Sequence, residues 1–258
     1  MERLRRSFAR FVHVEPQEVR PLAWSFTYFF CLLCGYYILR PVRDEMAIQG
    51  GVSNLPWMMT ATFLTLLAVT PLFGWVSARC SRHRLLLTVY SFFILNLVLL
   101  YFLMAARFHM EWVARGFFVW LSVFNLFVVS VFWSFMADLF TPEQGARLFG
   151  VIAAGGSTGA LFGPVLTTGL TYLFPVAVLM LASAGFLLCC MGCIHRLDQW
   201  SHRRAQAHHE PVGAPLGGGL FAGIRLVFGS PYLLGICAYL TFLTVTATFL
   251  YFEQMRVV

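Results

Sequence analysis

The chain has 258 residues, of which 59% are hydrophobic and only 11% charged, against about 25% charged in an average soluble domain. A protein with so little charge is an integral membrane protein, and the soluble globular classes are excluded. The formal charge of +7 does not point to nucleic acid, because every basic residue is Arg and most stand in short loops between apolar runs, where they act as a topology signal.

In chain order, the first 21 residues form an N-terminal segment in which Arg3, Arg5, Arg6 and Arg10 alternate with Leu4, Phe8, Phe11 and Val12. This pattern predicts a short amphipathic helix on an anionic membrane face, and it lacks the apolar core and cleavage site of a signal peptide. Seven runs follow that are long enough to cross a hydrocarbon core of about 30 Å, at 22–39, 55–76, 85–106, 116–137, 148–170, 176–194 and 231–252. The expected fold is all-α and polytopic: a six-helix transmembrane bundle over 22–194, a cytoplasmic linker with an interfacial helix over 195–230, and a seventh transmembrane helix over 231–258.

With the N-terminus in the cytoplasm, only Arg40, Arg43, Arg107, Arg115 and Arg256 fall on the outer side. That positive-inside bias predicts a multi-pass protein of the bacterial inner membrane with a cytoplasmic N-terminus. The linker is rich in His, Arg, Pro and Gly, and its His202, His208 and His209 lack the Cys or carboxylate framework of a metal site. Cys31-x-x-Cys34 has redox spacing, yet it lies in an apolar span where no thiolate is stabilised. Neither a metal nor a cofactor is expected.

The segment from Gly150 to Pro164 is uncharged and almost free of bulky side chains. At about 100° per residue, Ala153, Gly156, Gly159, Ala160, Gly163 and Thr167 fall in one stripe about 120° wide. In lipid such a stripe is a groove that lets two helix backbones touch, and Pro164 favours a bend. The candidate packing residues are Gly150, Gly156, Gly159, Gly163 and Pro164.

The spacing Gly150-x8-Gly159-x3-Gly163-Pro164 resembles the fifth-helix motif of the major facilitator superfamily, commonest in its antiporters, with Thr167-Thr168 in place of a final Gly pair. The loop Gly74 to Arg84 is similar to that family's G-x-L-A-D-R-x-G-R-R motif, although Ala78 replaces the usual Asp and Ser81 the usual Gly. Asp138 to Arg147 is similar to its acidic-then-Arg connection between the fourth and fifth spans. The resemblance implies an alternating-access transporter built as two six-helix halves. On that reading the chain is truncated, and its partners are the lipid bilayer, a small-molecule substrate and the missing C-terminal half, with no nucleic acid. Arg79, Arg82, Arg84, Asp138, Glu143 and Arg147 then belong to the inner gate, with Arg147 expected to pair with Asp138 or Glu143.

Leu39-Arg40-Pro41-Val42-Arg43-Asp44, after Tyr36 and Tyr37, resembles the first-span signature L-R-x-x-[KR]-D of the ATP/ADP translocases. That resemblance implies an anionic substrate and makes a nucleotide exchanger one alternative, with Arg43 as a binding residue; on a continued helix Arg40 and Arg43 share a face, while Pro41 by its own chemistry favours a helix end there. The opposite reading makes Arg43 an anchor paired to Asp44 or Glu45 at the headgroups. Candidate substrate-binding residues are Tyr37, Arg40, Arg43, Asp44, Asn96 and Asn125, the two Asn because a mid-span amide is costly against lipid. A seven-helix receptor or scaffold is the second alternative. The chain is not expected to be an enzyme, since it holds no paired carboxylates on one helix face and no catalytic or phosphate-cradling motif.

Overall fold

The computed structural model describes residues 14–49, 54–79, 82–107, 109–208 and 227–257. Within them the fold is all helical: α1 (Val19–Gln49), α2 (Leu55–Arg79), α3 (Arg82–Ala105), α4 (Met110–Leu139), α5 (Pro142–Leu173), α6 (Val178–His208) and α7 (Pro231–Val257). Residues 1–13 of the expected amphipathic segment over 1–21, and 209–226 of the expected linker over 195–230, lie outside the described residues.

All these helices except α2 contain a stretch long and apolar enough to cross a membrane. In α2, the run from Leu55 carries no charge before Arg79.

The most enclosed of these stretches is on α1, which packs against α5, α6 and α4. Its middle is buried over most of its circumference: Tyr28, Leu32, Cys34, Ile38 and Leu39 are fully buried, and Phe30, Leu33 and Tyr37 half-buried. Aromatic rings join it to α4, where Phe29 stacks on Phe132 with centroids 4.3 Å apart and Tyr28 meets the same ring edge-on at 4.8 Å. The hydroxyls of Tyr28 and Tyr90 lie 2.7 Å apart, tying α1 to α3. A phenol buried here without a partner would cost about 1–3 kcal/mol, so each hydroxyl satisfies the other. In α7, by contrast, the described side chains from Pro231 to Leu250 are exposed, apart from half-buried Leu233.

Helix ends differ from the expected ones in two places. Pro41 lies inside α1, which runs on to Gln49. One residue along from the Tyr37 carbonyl that Pro41 leaves without a helical donor, the Thr167 hydroxyl shares its one hydrogen between the Ile38 carbonyl at 3.0 Å and its own Gly163 carbonyl at 3.1 Å. The helix α6 continues to His208, through the first part of the expected linker. Leu197 is fully buried there, and the Trp200 ring sits 6.5 Å from that of Phe140, so the overhang is held by packing rather than left as coil.

The connection from α4 to α5 is only Phe140-Thr141. Thr141 caps α5, its hydroxyl accepting from the Gln144 N–H at 3.4 Å while the Gln144 side-chain oxygen accepts from the Thr141 N–H at 3.2 Å. Pro142 follows at the first helical position, where its missing N–H costs nothing.

Candidate functional site

The α1–α5 seam is where sequence and geometry meet most directly. A Cβ placed on Gly155 would stand 2.6 Å from the Phe26 carbonyl oxygen, and one on Gly163 would stand 2.6 Å from Tyr37 Cβ. On Gly159 it would run into the Phe30 carbonyl, and on Gly156 into the Phe29 ring. Three of these four obstacles include main-chain atoms of α1, so the two backbones touch over about two turns. No side chain fits between them.

The buried face of α5 consists of Gly145, Leu148, Ile152, Gly155, Gly156, Gly159, Gly163 and Thr167. It is turned by about 40° from the expected stripe at 100° per residue, bringing in Gly155 and leaving Ala153 and Ala160 half-buried. Gly150 is a correction. It is exposed, with nothing within 4 Å of a Cβ, because nine residues at that pitch place it on the opposite side of the helix from Gly159. Pro164 is also exposed and faces away from the seam.

At the N-terminal end of α1 the seam closes with an ion pair. Glu18 is buried, and its carboxylate accepts from Arg147 Nη2 at 3.0 Å, Gln144 Nε2 at 2.8 Å and the Glu15 N–H at 3.1 Å. Arg147 therefore meets an acid outside the expected pair. The reason is position: Gln144 and Arg147 are three apart on α5 and share the face turned toward the entry of α1. Glu143 is exposed in the first turn of α5, where its charge suits the helix dipole, and Asp138 is exposed in the last turn of α4. Arg84 is exposed, and the side chains of Arg79 and Arg82 lie outside the described residues. The signal for Glu18 was present, since Glu15-Pro16-Gln17-Glu18 places an acid three residues after a turn start. Its partner on α5 could not be read from spacing.

At the other end of α1, Arg43 donates from Nε and Nη2 to the Asp44 carboxylate at 3.0 and 2.7 Å, and its guanidinium carbon lies 5.0 Å from the Phe118 ring centroid. Phe118 clusters with Ala47 and Met58, so Arg43 covers the joint of α1, α2 and α4. Arg40 differs. It is exposed, lies 5.5 Å from the half-buried Tyr37 ring, and forms no ion pair among the described residues. Asn125 is half-buried on α4. Asn96 donates to the Phe92 carbonyl of its own helix at 2.8 Å and lines a groove between α3 and α4. The structure thus groups Tyr37, Arg40, Arg43 and Asp44, and sets Asn96 apart on a different seam.

Among the described residues, no group of three or more His, Cys, Asp or Glu is placed to hold a metal ion.

The family model of the Major Facilitator Superfamily matches residues 25–257, which is nearly the whole chain. The chain belongs to the Major Facilitator Superfamily. No curated protein and no solved structure gives a significant match. As a Major Facilitator protein it is a multi-pass membrane transporter of a small-molecule substrate. The glycine seam and the Glu18–Arg147 pair are then parts of a transporter's helix bundle.

Proposed function

We propose that this Major Facilitator protein is a secondary transporter of a small anionic solute, working by alternating access, and that Arg40 meets the solute. The observation that carries the reading is the contrast between two arginines one turn apart. Arg43 is committed to Asp44 and to the Phe118 ring. Arg40 has its guanidinium exposed and over a tyrosine face, with no carboxylate on it among the described residues. An arginine presents a planar fork of donors that suits carboxylate or phosphate oxygens, and its field draws anions to the mouth of a low-dielectric bundle. Arg43 then acts as the anchor and Tyr37 as the wall against which Arg40 is held.

The Glu18–Arg147 pair is the brace of the opposite gate, taking over the role that Ala78 cannot play in the Gly74 to Arg84 loop. On this reading Asp138, Glu143, Arg79, Arg82 and Arg84 belong to the same gate. A bacterial inner membrane with the N-terminus in the cytoplasm fits the distribution of Arg. The nucleotide-exchange form of this reading rests on the Leu39 to Asp44 signature alone, and a second helical half would complete the path.

Uptake into proteoliposomes of the full-length protein tests the proposal, with a panel of carboxylate and phosphate solutes against neutral ones. Arg40→Gln should weaken affinity for the transported anion about tenfold or more, because a hydrogen bond to a charged group contributes about 1.5–3 kcal/mol. Arg43→Gln should change yield more than affinity. Uptake confined to neutral solutes, or unchanged affinity in Arg40→Gln, would overturn the reading.

A further inference from the structure

The seam between α3 and α4 is built unlike the one between α1 and α5. It holds an open groove of about 350 Å³, within the size range of small-molecule sites, with Leu99 and Leu103 of α3 facing Trp112, Gly116 and Trp120 of α4. Asn96 stands at its inner end. Nothing lies within 4 Å of a Cβ on Gly116, so that glycine leaves space and does not admit a neighbour. On the α3 side, Leu95, Leu99 and Phe102 are strongly exposed on a helix long and apolar enough to span a membrane, an apolar surface that an acyl chain would cover.

Basic side chains gather at the mouth of the groove, with the exposed Glu111 of the first turn of α4 the one acid of that turn. His109, which lines it, belongs to the tight turn between the two helices, where Arg107 and His109 both adopt left-handed backbone with φ of 51° and 37°. Arg107 is exposed. One turn into α4, the Arg115 guanidinium carbon lies 5.1 Å from the ring centroid of Trp112, a wall of the groove. Its Nε is buried with no hydrogen-bond partner. Neither Arg107 nor Arg115 forms an ion pair with a carboxylate of the described residues. An apolar slot in an exposed apolar surface of a membrane span, with a Trp at its rim and two such arginines beside it, matches a molecule with an apolar tail and an anionic head.

We propose that the α3–α4 groove is a binding site for an anionic phospholipid. One acyl chain lies along Leu99, Leu103, Gly116 and Trp120, and the phosphate is held by Arg107 and Arg115. Both halves of the ligand are needed: the slot offers no charge to a free phosphate, and the arginines favour a head of net negative charge over a zwitterionic one, whose phosphate comes with a cation that they repel. Carbon-bound hydrogens of the chain meet the Trp112 face, as the aromatic residues of a membrane interface do.

The test is native mass spectrometry of the delipidated full chain in detergent, titrated with phosphatidylglycerol, with phosphatidylcholine of the same chains, and with inorganic phosphate. Phosphatidylglycerol should bind at least fivefold more tightly than phosphatidylcholine. In the double variant Arg107→Gln, Arg115→Gln the preference should fall below twofold, and Arg115→Lys, which keeps the charge, should retain most of it. Gly116→Leu, filling the slot, should lower occupancy by both lipids. Equal binding of the two lipids to the unmodified chain, or an undiminished preference in the double variant, would overturn the proposal. So would displacement of phosphatidylglycerol by millimolar inorganic phosphate, which would assign the arginines to a free anion.

Discussion

Two helix seams in this bundle use glycine to opposite ends. Along α1–α5, Gly155, Gly156, Gly159 and Gly163 face an adjacent helix so closely that a methyl group has no room. Along α3–α4, Gly116 faces open space in a groove walled by Trp112 and Trp120. The first arrangement gives dispersion contact between backbones, which is what holds helices together in lipid, where burial of apolar surface against a partner gains little. The second gives up contact and leaves a cavity. Glycine in a membrane helix is therefore not in itself a packing signal; what stands opposite the missing Cβ decides.

The largest expected effect is in the tight seam. Gly163→Leu must separate α1 from α5 against Tyr37 and the Cys34 carbonyl, and should cost more than about 3 kcal/mol, read as collapse of monodisperse yield on size-exclusion chromatography. Normal yield would mean that the two backbones do not touch as described.

Next comes the ion pair that closes the same seam. Arg147→Ala leaves the Glu18 carboxylate buried with only Gln144 and the Glu15 N–H, and should destabilise by about 3 kcal/mol. Glu18→Gln should cost much less, since Arg147 is one-third exposed and can turn to water. Adding Glu18→Gln to Arg147→Ala should recover part of the loss in thermal unfolding. Equal costs for the two single changes would show that the buried carboxylate is not the sensitive partner.

A smaller effect sharpens the far end of the seam. Thr167→Val removes the hydroxyl bond to the Ile38 carbonyl beside Pro41 and should cost about 1 kcal/mol, with the helix still formed. A cost indistinguishable from zero in the same unfolding assay would mean that this interhelix hydrogen bond does not hold the seam.

Much of this was legible in advance. The apolar runs gave the order of the helices, and the 100° spacing placed Gly156, Gly159, Gly163 and Thr167 on one face because close backbone contact in lipid demands small residues. The same arithmetic sets Gly150 on the far side of α5, so the family motif and the packing face coincide only in part. Gly155 lies outside the expected stripe because that stripe reaches toward Ala153 and Ala160 on its other edge, whereas the α1 main chain at Phe26 decides where space is missing. The helical overhang of α6 was hidden by its polar composition, which local propensity reads as linker while Leu197 and Trp200 pack it down. Glu18 is the least readable case. Its partner lies 129 residues along the chain, and only the folded seam brings the two together.

The claim that what faces the missing Cβ decides a glycine's role has a direct test in one methyl group at each seam. In an exposed or roomy helix position, Gly→Ala stabilises by about 0.5–1 kcal/mol through lost chain entropy and better helix propensity. Gly116→Ala should therefore raise the midpoint of thermal unfolding in detergent, while Gly159→Ala, which drives a methyl into the Phe30 carbonyl and against the Cys34 amide, should lower it. Shifts of opposite sign are the predicted result; shifts of the same sign at both positions would contradict the account.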